Sequence, residues 1–199
     1  MDGASVNTKN HPTADVNMPA ARAVSDAELL RLLDEQEINR ALTTYCHGID
    51  RGDADLMLSV YHAGATDYHG RFKGSASEFV TDVLPRMRRY RATMHRISNV
   101  LIEFDGDSAF VQSYVVAAHV LERDGASIIE WLGGRYLDGF ERRDNVWKIA
   151  HRLVVLDWEA EQQVSRQPYA GVPFAVGSRS TEDPAYAFLR GGVFPKAEA

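Results

Sequence analysis

Apolar positions recur at two different periods along this chain, and the change of period divides it. Leu30, Leu33, Ile38, Ala41, Leu42 and Tyr45 return roughly every 3.6 residues, the spacing that gathers apolar side chains on one face of a helix. Ser25-Asp26-Ala27-Glu28 precedes that run. Its serine can accept from the Glu28 amide while the glutamate reaches back to the serine amide, and Val24 can close on Leu29 as a hydrophobic staple. A long amphipathic helix is therefore predicted from Ser25 to about Gly48, where glycine is expected to end it. Asp53 can cap a short second helix carrying Leu56, Met57, Val60 and Tyr61; Gly64 breaks that pattern, and residues 66–69 read as a short strand. A third helix is predicted over 75–90, turning Phe79, Val83, Leu84 and Met87 inward. Pro85 is expected to kink or break it, because proline lacks an amide proton and crowds the turn before it.

From Thr93 the period is close to two. Residues 93–104, 108–121, 127–141 and 146–158 are β-branched and aromatic runs separated by Asp105-Gly106-Asp107, Arg123-Asp124-Gly125 and Arg143-Asp144-Asn145, which predicts four consecutive antiparallel strands. Gly133-Gly134 and Gly139 lie inside the third strand and are expected at bulges that bend the sheet. Helices followed by a curved antiparallel sheet make the fold class α+β, with the helices packed into the concave face. Residues 1–24 have no apolar period and read as a flexible leader, 25–162 as one domain, and 163–199 as an extended arm. Tyr169, Phe174, Tyr186, Phe188 and Phe194 give that arm reason to dock on the domain or on a neighbouring subunit.

At 199 residues the chain suits one domain with tails. Its 22 Lys and Arg against 28 Asp and Glu give a net charge of −6 with no basic block, so neither nucleic acid nor a membrane surface is an expected partner. The single cysteine, Cys46, rules out an intrachain disulfide, and with no apolar leader or 18-residue apolar run the expected location is cytoplasmic. No metal is expected: His47 with Asp50 is a lone i, i+3 pair, and no H-x-x-E-H or H-E-x-x-H spacing occurs. There is no phosphate-binding loop and no G-x-G-x-x-G, so no cofactor is expected either. Cys46 and His47 are helix neighbours that point apart, which argues against a Cys–His nucleophile.

Three motifs in order carry a resemblance. Residues 45–53 (Tyr-Cys-His-Gly-Ile-Asp-Arg-Gly-Asp) end the first helix, residues 93–99 (Thr-Met-His-Arg-Ile-Ser-Asn) open the first long strand, and Gly133-Gly134-Arg135-Tyr136 precedes residues 147–152 (Trp-Lys-Ile-Ala-His-Arg). Together they resemble the SnoaL-like branch of the nuclear transport factor 2 superfamily over residues 25–158. That resemblance implies a cone-shaped fold which hosts dehydratases, isomerases, cyclases, dehydrohalogenases and non-catalytic subunits, so the site has to decide the function.

In members resembling scytalone dehydratase, the bile-acid dehydratases and hexachlorocyclohexane dehydrochlorinase, an Asp at the end of the first helix orients a His of the first long strand. The matching residues are Asp50 and His95. An imidazole near its ordinary pKa of about 6.5 can take a proton at neutral pH, and a neighbouring carboxylate fixes its tautomer and stabilises the imidazolium. The alternative is a capping aspartate and a core histidine. Tyr45, five residues before Asp50, matches a pocket tyrosine of the bile-acid dehydratases and would polarise a substrate oxygen, provided the helix loosens at Gly48; otherwise it is a core aromatic. His69 and His119 fall near further polar pocket positions where relatives carry Tyr or Asp. Tyr61, Trp131 and His151 complete the candidate substrate-binding set, His151 because it alternates with Trp147 and Ile149. The expected function is a cofactor-independent lyase, foremost a dehydratase, acting on a hydroxylated aromatic or polycyclic compound. Carbon–carbon cleavage of a lignin-type diol and a ketosteroid-type isomerisation would use the same residues. A non-catalytic module similar to a dioxygenase small subunit is the rival from another class. A homodimer or homotrimer is expected, with a hydrophobic small molecule as the ligand.

Overall fold

The computed structural model describes residues 23–164 and 171–191; the leader, apart from its last two residues, and parts of the C-terminal arm lie outside the described residues. Helix α1 spans Asp26–Arg51, α2 Ala54–Ser59 and α3 Ala76–Met87. The strands are β1 Tyr61–His69, β2 Phe72–Ser75, β3 Ala92–Asp105, β4 Ser108–Arg123, β5 Ala126–Arg143 and β6 Val146–Gln163, and a last helix α4 spans Pro184–Leu189. The capping boxes at Ser25/Glu28 and Ser75/Glu78 are both formed, which explains why α1 and α3 begin where the sequence predicts.

The differences have local causes. α1 runs past Gly48, because a Cβ there would meet Met57 Cγ at 2.8 Å and its amide nitrogen at 2.9 Å. Glycine is needed at that position for α2 to approach α1 closely, and the left-handed cap falls on Gly52 at φ 68°. Tyr61 opens β1 instead of closing α2, and β1 is longer than the predicted 66–69. Pro85 neither starts nor ends a segment: α3 continues through it to Met87.

One sheet orders the strands β2-β1-β6-β5-β4-β3, antiparallel throughout except where β1 runs parallel to β6. Two-residue turns at Asp124-Gly125 and Asp144-Asn145 place both residues at positive φ, the geometry that matches the twist of a hairpin. Register shifts occur at Gly133/Gly134 and Gly139/Phe140, as the glycines predict, and also between Ser98 and Leu101, where Asn99 takes φ 48°. Each bulge inserts one residue, so strand parity reverses across it. Helices α1 to α3 cover one face, where Ile38, Leu42, Met57, Phe79, Val111, Phe140, Trp147 and Ile149 form a closed core.

The described part of the arm docks against the C-terminal end of α1. Arg51 Nη1 donates to Asp183 Oδ2 at 2.6 Å and to the Ser178 carbonyl, and Tyr186 donates to Asp53 Oδ2 at 2.7 Å. α4 itself is capped by Asp183 with Pro184 in its first turn.

Candidate active site

Because α1 keeps its helical path through Gly48, Asp50 sits in its last turn against β3. Thr93 and His95 alternate on that strand and face it. Thr93 Oγ1 donates to Asp50 Oδ1 at 2.8 Å, the His95 amide donates to Oδ2 at 2.9 Å, and His95 Nδ1 lies 2.8 Å from Oδ1. Burial alone would raise the Asp50 carboxyl, but the bonds from His95 and Thr93 outweigh it and hold the group below the ordinary carboxylate value. An ionised Asp50 accepts from Nδ1–H, which leaves the His95 Nε2 with its lone pair free to take a proton. Arg179, from the arm, donates to Thr93 Oγ1 and to the Asp50 and Ile49 carbonyls, so the Thr93 hydroxyl stands between the guanidinium and the carboxylate.

His95 lines a cavity of about 80 Å³ together with His69, His119, Val115, Tyr136 and the Gly133-Gly134 bulge. His119 is 8% exposed, and both of its ring nitrogens are buried without a hydrogen-bond partner among the described residues. Burial and the nearby His95 push its pKa down to about 3, so the ring is neutral at pH 7 and can offer an N–H or a lone pair to a bound molecule. Its ring centroid is 5.3 Å from that of His95 and 4.6 Å from that of Tyr90. A wider groove of about 620 Å³ meets the cavity at His119 and Leu132 and is walled by Tyr90, Trp131 and the charged Arg89, Glu130, Glu159 and Glu161. Gly133 is flat because the Trp158 indole lies on it, 2.0 Å from where a Cβ would be.

The structure brings His95, His69 and His119 together at this cavity, with Asp50 behind His95, and it leads four other candidates elsewhere. Tyr45 does not line the cavity: α1 does not loosen at Gly48, and the ring is 1% exposed, with the Arg152 guanidinium 4.2 Å from its centroid and Tyr61 and Tyr136 edge-on. Burial raises its hydroxyl above the ordinary value. Tyr61 is likewise interior, donating to Asp67 Oδ2 at 2.7 Å. Trp131 stands in the adjoining groove and donates to Gln162. His151 lies on the opposite sheet face from Trp147 and Ile149, because the extra residue Ala150 at the bulge reverses parity; its Nδ1 is 2.5 Å from Thr66 Oγ1. Cys46 is buried, and burial pushes its thiol up to about 12, which leaves it protonated. Among the described residues no group of three His, Cys, Asp or Glu side chains could share a metal ion, and no helix is long and apolar enough to cross a membrane.

Sequence reasoning missed Arg179 and Asp67. Arg179 lies far from the dyad along the chain, so no spacing points to it. Asp67 is two residues before His69 on one strand, and that shared parity was the available signal.

Known proteins agree with this architecture. The solved structure of the Kfla4162 protein from Kribbella flavida superposes with a TM-score of 0.60 at 19% identity, covering 65% of this chain and 95% of that one. A candidate scytalone dehydratase from Novosphingobium aromaticivorans gives 0.58 at 22% identity over 67% and 91%. The hexachlorocyclohexane dehydrochlorinase LinA-type3 from Novosphingobium barchaimii gives 0.60 at 20% identity over 75% and 99%. At these identities the likeness is one of fold. Among curated proteins there is no significant match. Residues 30–153, more than half of the chain, match the family model of the SnoaL-like domain, and the chain belongs to that family, within the NTF2-like superfamily.

Proposed function

We propose that this protein is a cofactor-independent lyase, a dehydratase, that removes water from a hydroxylated aromatic or polycyclic small molecule. One observation carries the reading: the His95 Nδ1 lies 2.8 Å from Asp50 Oδ1 at the wall of a cavity, so the other ring nitrogen is a base of fixed tautomer facing bound substrate. His95 takes a proton from a carbon beside a carbonyl, and Asp50 stabilises the imidazolium that forms. His119 donates its N–H to the carbonyl oxygen as charge develops there. The reacting end of the substrate enters the small cavity, and its ring system lies in the groove beside Trp131 and Tyr90. Two of the fold relatives bear names that describe loss of water and of hydrogen chloride, which supports an elimination.

The partner of the chain in this reading is a second or third copy of itself. The outward sheet face exposes Leu101, Phe110 and Leu153 around a shallow depression, an apolar patch that a second copy would cover. The cytoplasm is the compartment proposed.

The test is mass-resolved incubation of the purified protein with hydroxylated steroid ketones, aromatic polyketides and lignin-type diols, without added metal or nucleotide. Loss of 18 mass units by the wild type, reduced at least about 100-fold in His95→Ala, is the expected result. Loss of formaldehyde would reassign the bond broken to carbon–carbon, and full turnover by His95→Ala would overturn the dyad.

A further inference from the structure

Asp50 is supported from outside the matched domain. Thr93, 5% exposed, donates to Asp50 Oδ1 at 2.8 Å, beside the bond to the His95 ring. A hydroxyl has one proton and two lone pairs, so the direction of the Thr93 proton depends on what meets those lone pairs. Arg179 Nη1 bonds Thr93 Oγ1. A guanidinium has donors and no acceptor, so that bond runs only from Arg179 to Thr93. It fills a lone pair of the hydroxyl and leaves the proton directed at the carboxylate.

The same side chain closes the end of α1. The last four carbonyls of a helix have no partner within it, and Arg179 donates to two of them, to Asp50 at 3.3 Å through Nη1 and to Ile49 at 3.4 Å through Nη2. The helix dipole favours a cation at that end. One planar group therefore spans from the backbone of the residue that bears the carboxylate to the β3 side chain that bonds it. Arg179 is also held by its neighbours along the arm. Arg51 donates to the Ser178 carbonyl at 2.8 Å, and Asp183 Oδ2 accepts from Arg51 Nη1 at 2.6 Å and from the Ser178 amide at 2.8 Å. Tyr186 donates to Asp53 Oδ2 at 2.7 Å. Residues 178–186 are thus fastened on both sides of Arg179 to the junction of α1 and α2.

We propose that Arg179 is a positioning residue for the dyad: it acts through Thr93, whose proton it commits to Asp50 Oδ1, while its bonds to the Ile49 and Asp50 carbonyls keep the end of α1 level with β3. Without it the Thr93 hydroxyl turns freely, and the carboxylate is left with the donors of His95 alone. A carboxylate that can rotate no longer fixes the imidazole. The effect on rate rests on the elimination reading above; the hydrogen-bond relay does not.

Carbon-13 NMR of labelled protein, with Asp50→Asn to assign the signal, reads the Asp50 carboxyl as the pH is varied. The wild type is expected to titrate below the ordinary carboxylate value and Arg179→Ala higher, because a freed hydroxyl stabilises the anion less. In a Thr93→Val background, Arg179→Ala should add no further rise; in Thr93→Ser, which keeps the hydroxyl, the rise should return. Thr93→Ala replaces Thr93→Val if circular dichroism shows the latter unfolded. An equal rise in the Val and Ser backgrounds would mean that Arg179 acts by its charge alone, and no rise in Arg179→Ala would mean that it does not act on Asp50; either overturns the proposal. In turnover, Arg179→Ala should lower kcat about 10- to 100-fold with KM little changed, and that loss should vanish in Thr93→Val. A wild type in which the titrations behave as expected but no substrate is eliminated overturns the lyase reading alone.

Discussion

At the scale of single residues the cavity is defined by how its three histidines are partnered. His95 is hydrogen-bonded to Asp50, His69 Nδ1 stands 3.4 Å from Asp67 without a hydrogen bond, and His119 has neither of its nitrogens satisfied among the described residues. The last has a measurable consequence. The folded His119 titrates near 3, while an unfolded histidine titrates near 6.5. Between those values the unfolded chain binds a proton that the folded chain refuses, so the folded state is fully favoured above about pH 6.5 and loses stability as the pH falls below it. Urea unfolding at about pH 7 and about pH 5.5 should differ by roughly 1 kcal/mol from this residue, and His119→Gln should remove that difference. An unchanged difference in the variant would show that His119 charges freely in the fold. Asp50, whose value is depressed, adds its own loss only at lower pH, below the ordinary carboxylate range.

At the scale of elements the bulges decide what the strands present. Gly133 and Gly134 are adjacent, yet a Cβ meets different obstacles at each. At Gly133 it meets the Trp158 indole, a half-exposed side chain that can swing aside; at Gly134 it meets the Val155 carbonyl oxygen at 2.2 Å, which belongs to the backbone of β6. Gly134→Ala is therefore expected to cost about 1–3 kcal/mol, and Gly133→Ala less while shifting tryptophan fluorescence. Thermal melts with emission spectra check both; equal costs would mean that Trp158 is pinned. The same bulges show how far the strands were legible. Their glycines marked two shifts in advance, but no glycine marks the one near Asn99. The reversal of parity at Ala150 carried His151 to the far face, although alternation with Ile149 pointed inward. β2 went unread because four residues are too few to establish a period, and α4, as short as α2, buries no residue and so shows no inward face.

For the whole molecule, the sheet has one face closed by helices and one open. The open face carries Phe110 at 65% exposure and Leu101 at 62%, and burying such a surface stabilises association at about 25 cal/mol per Å² before its entropic cost. Sedimentation velocity should give a mass of two or three chains, and Leu101→Glu with Phe110→Glu should give one, because charges facing each other across the interface repel. A wild-type monomer at micromolar concentration would sink the assignment of that face. The arm belongs to this scale too. Its Arg179 and Asp183 anchor the end of α1 that carries Asp50, so chain lying beyond the matched domain braces the helix end behind the dyad.

The sequence by itself determined what is local. Capping boxes, the change from a 3.6-residue to a two-residue period, turn dipeptides and the glycines of two bulges depend on neighbours a few positions apart, and they specify the helices and strands and the α+β class, while the Asp50–His95 pair was legible only through the resemblance to a known family. The tertiary structure decided what depends on distant register and on burial. Tyr45 is a core residue because α1 stays helical through Gly48 and turns the ring onto the Arg152 guanidinium; Asp67 joins Arg152 and Asp138 in one buried row because the registers of β1, β6 and β5 bring them abreast; Arg179 reaches Thr93 because the arm folds back. Spacing cannot report these, since an interior charge takes its role from every other charge buried beside it, and only the folded chain brings them together.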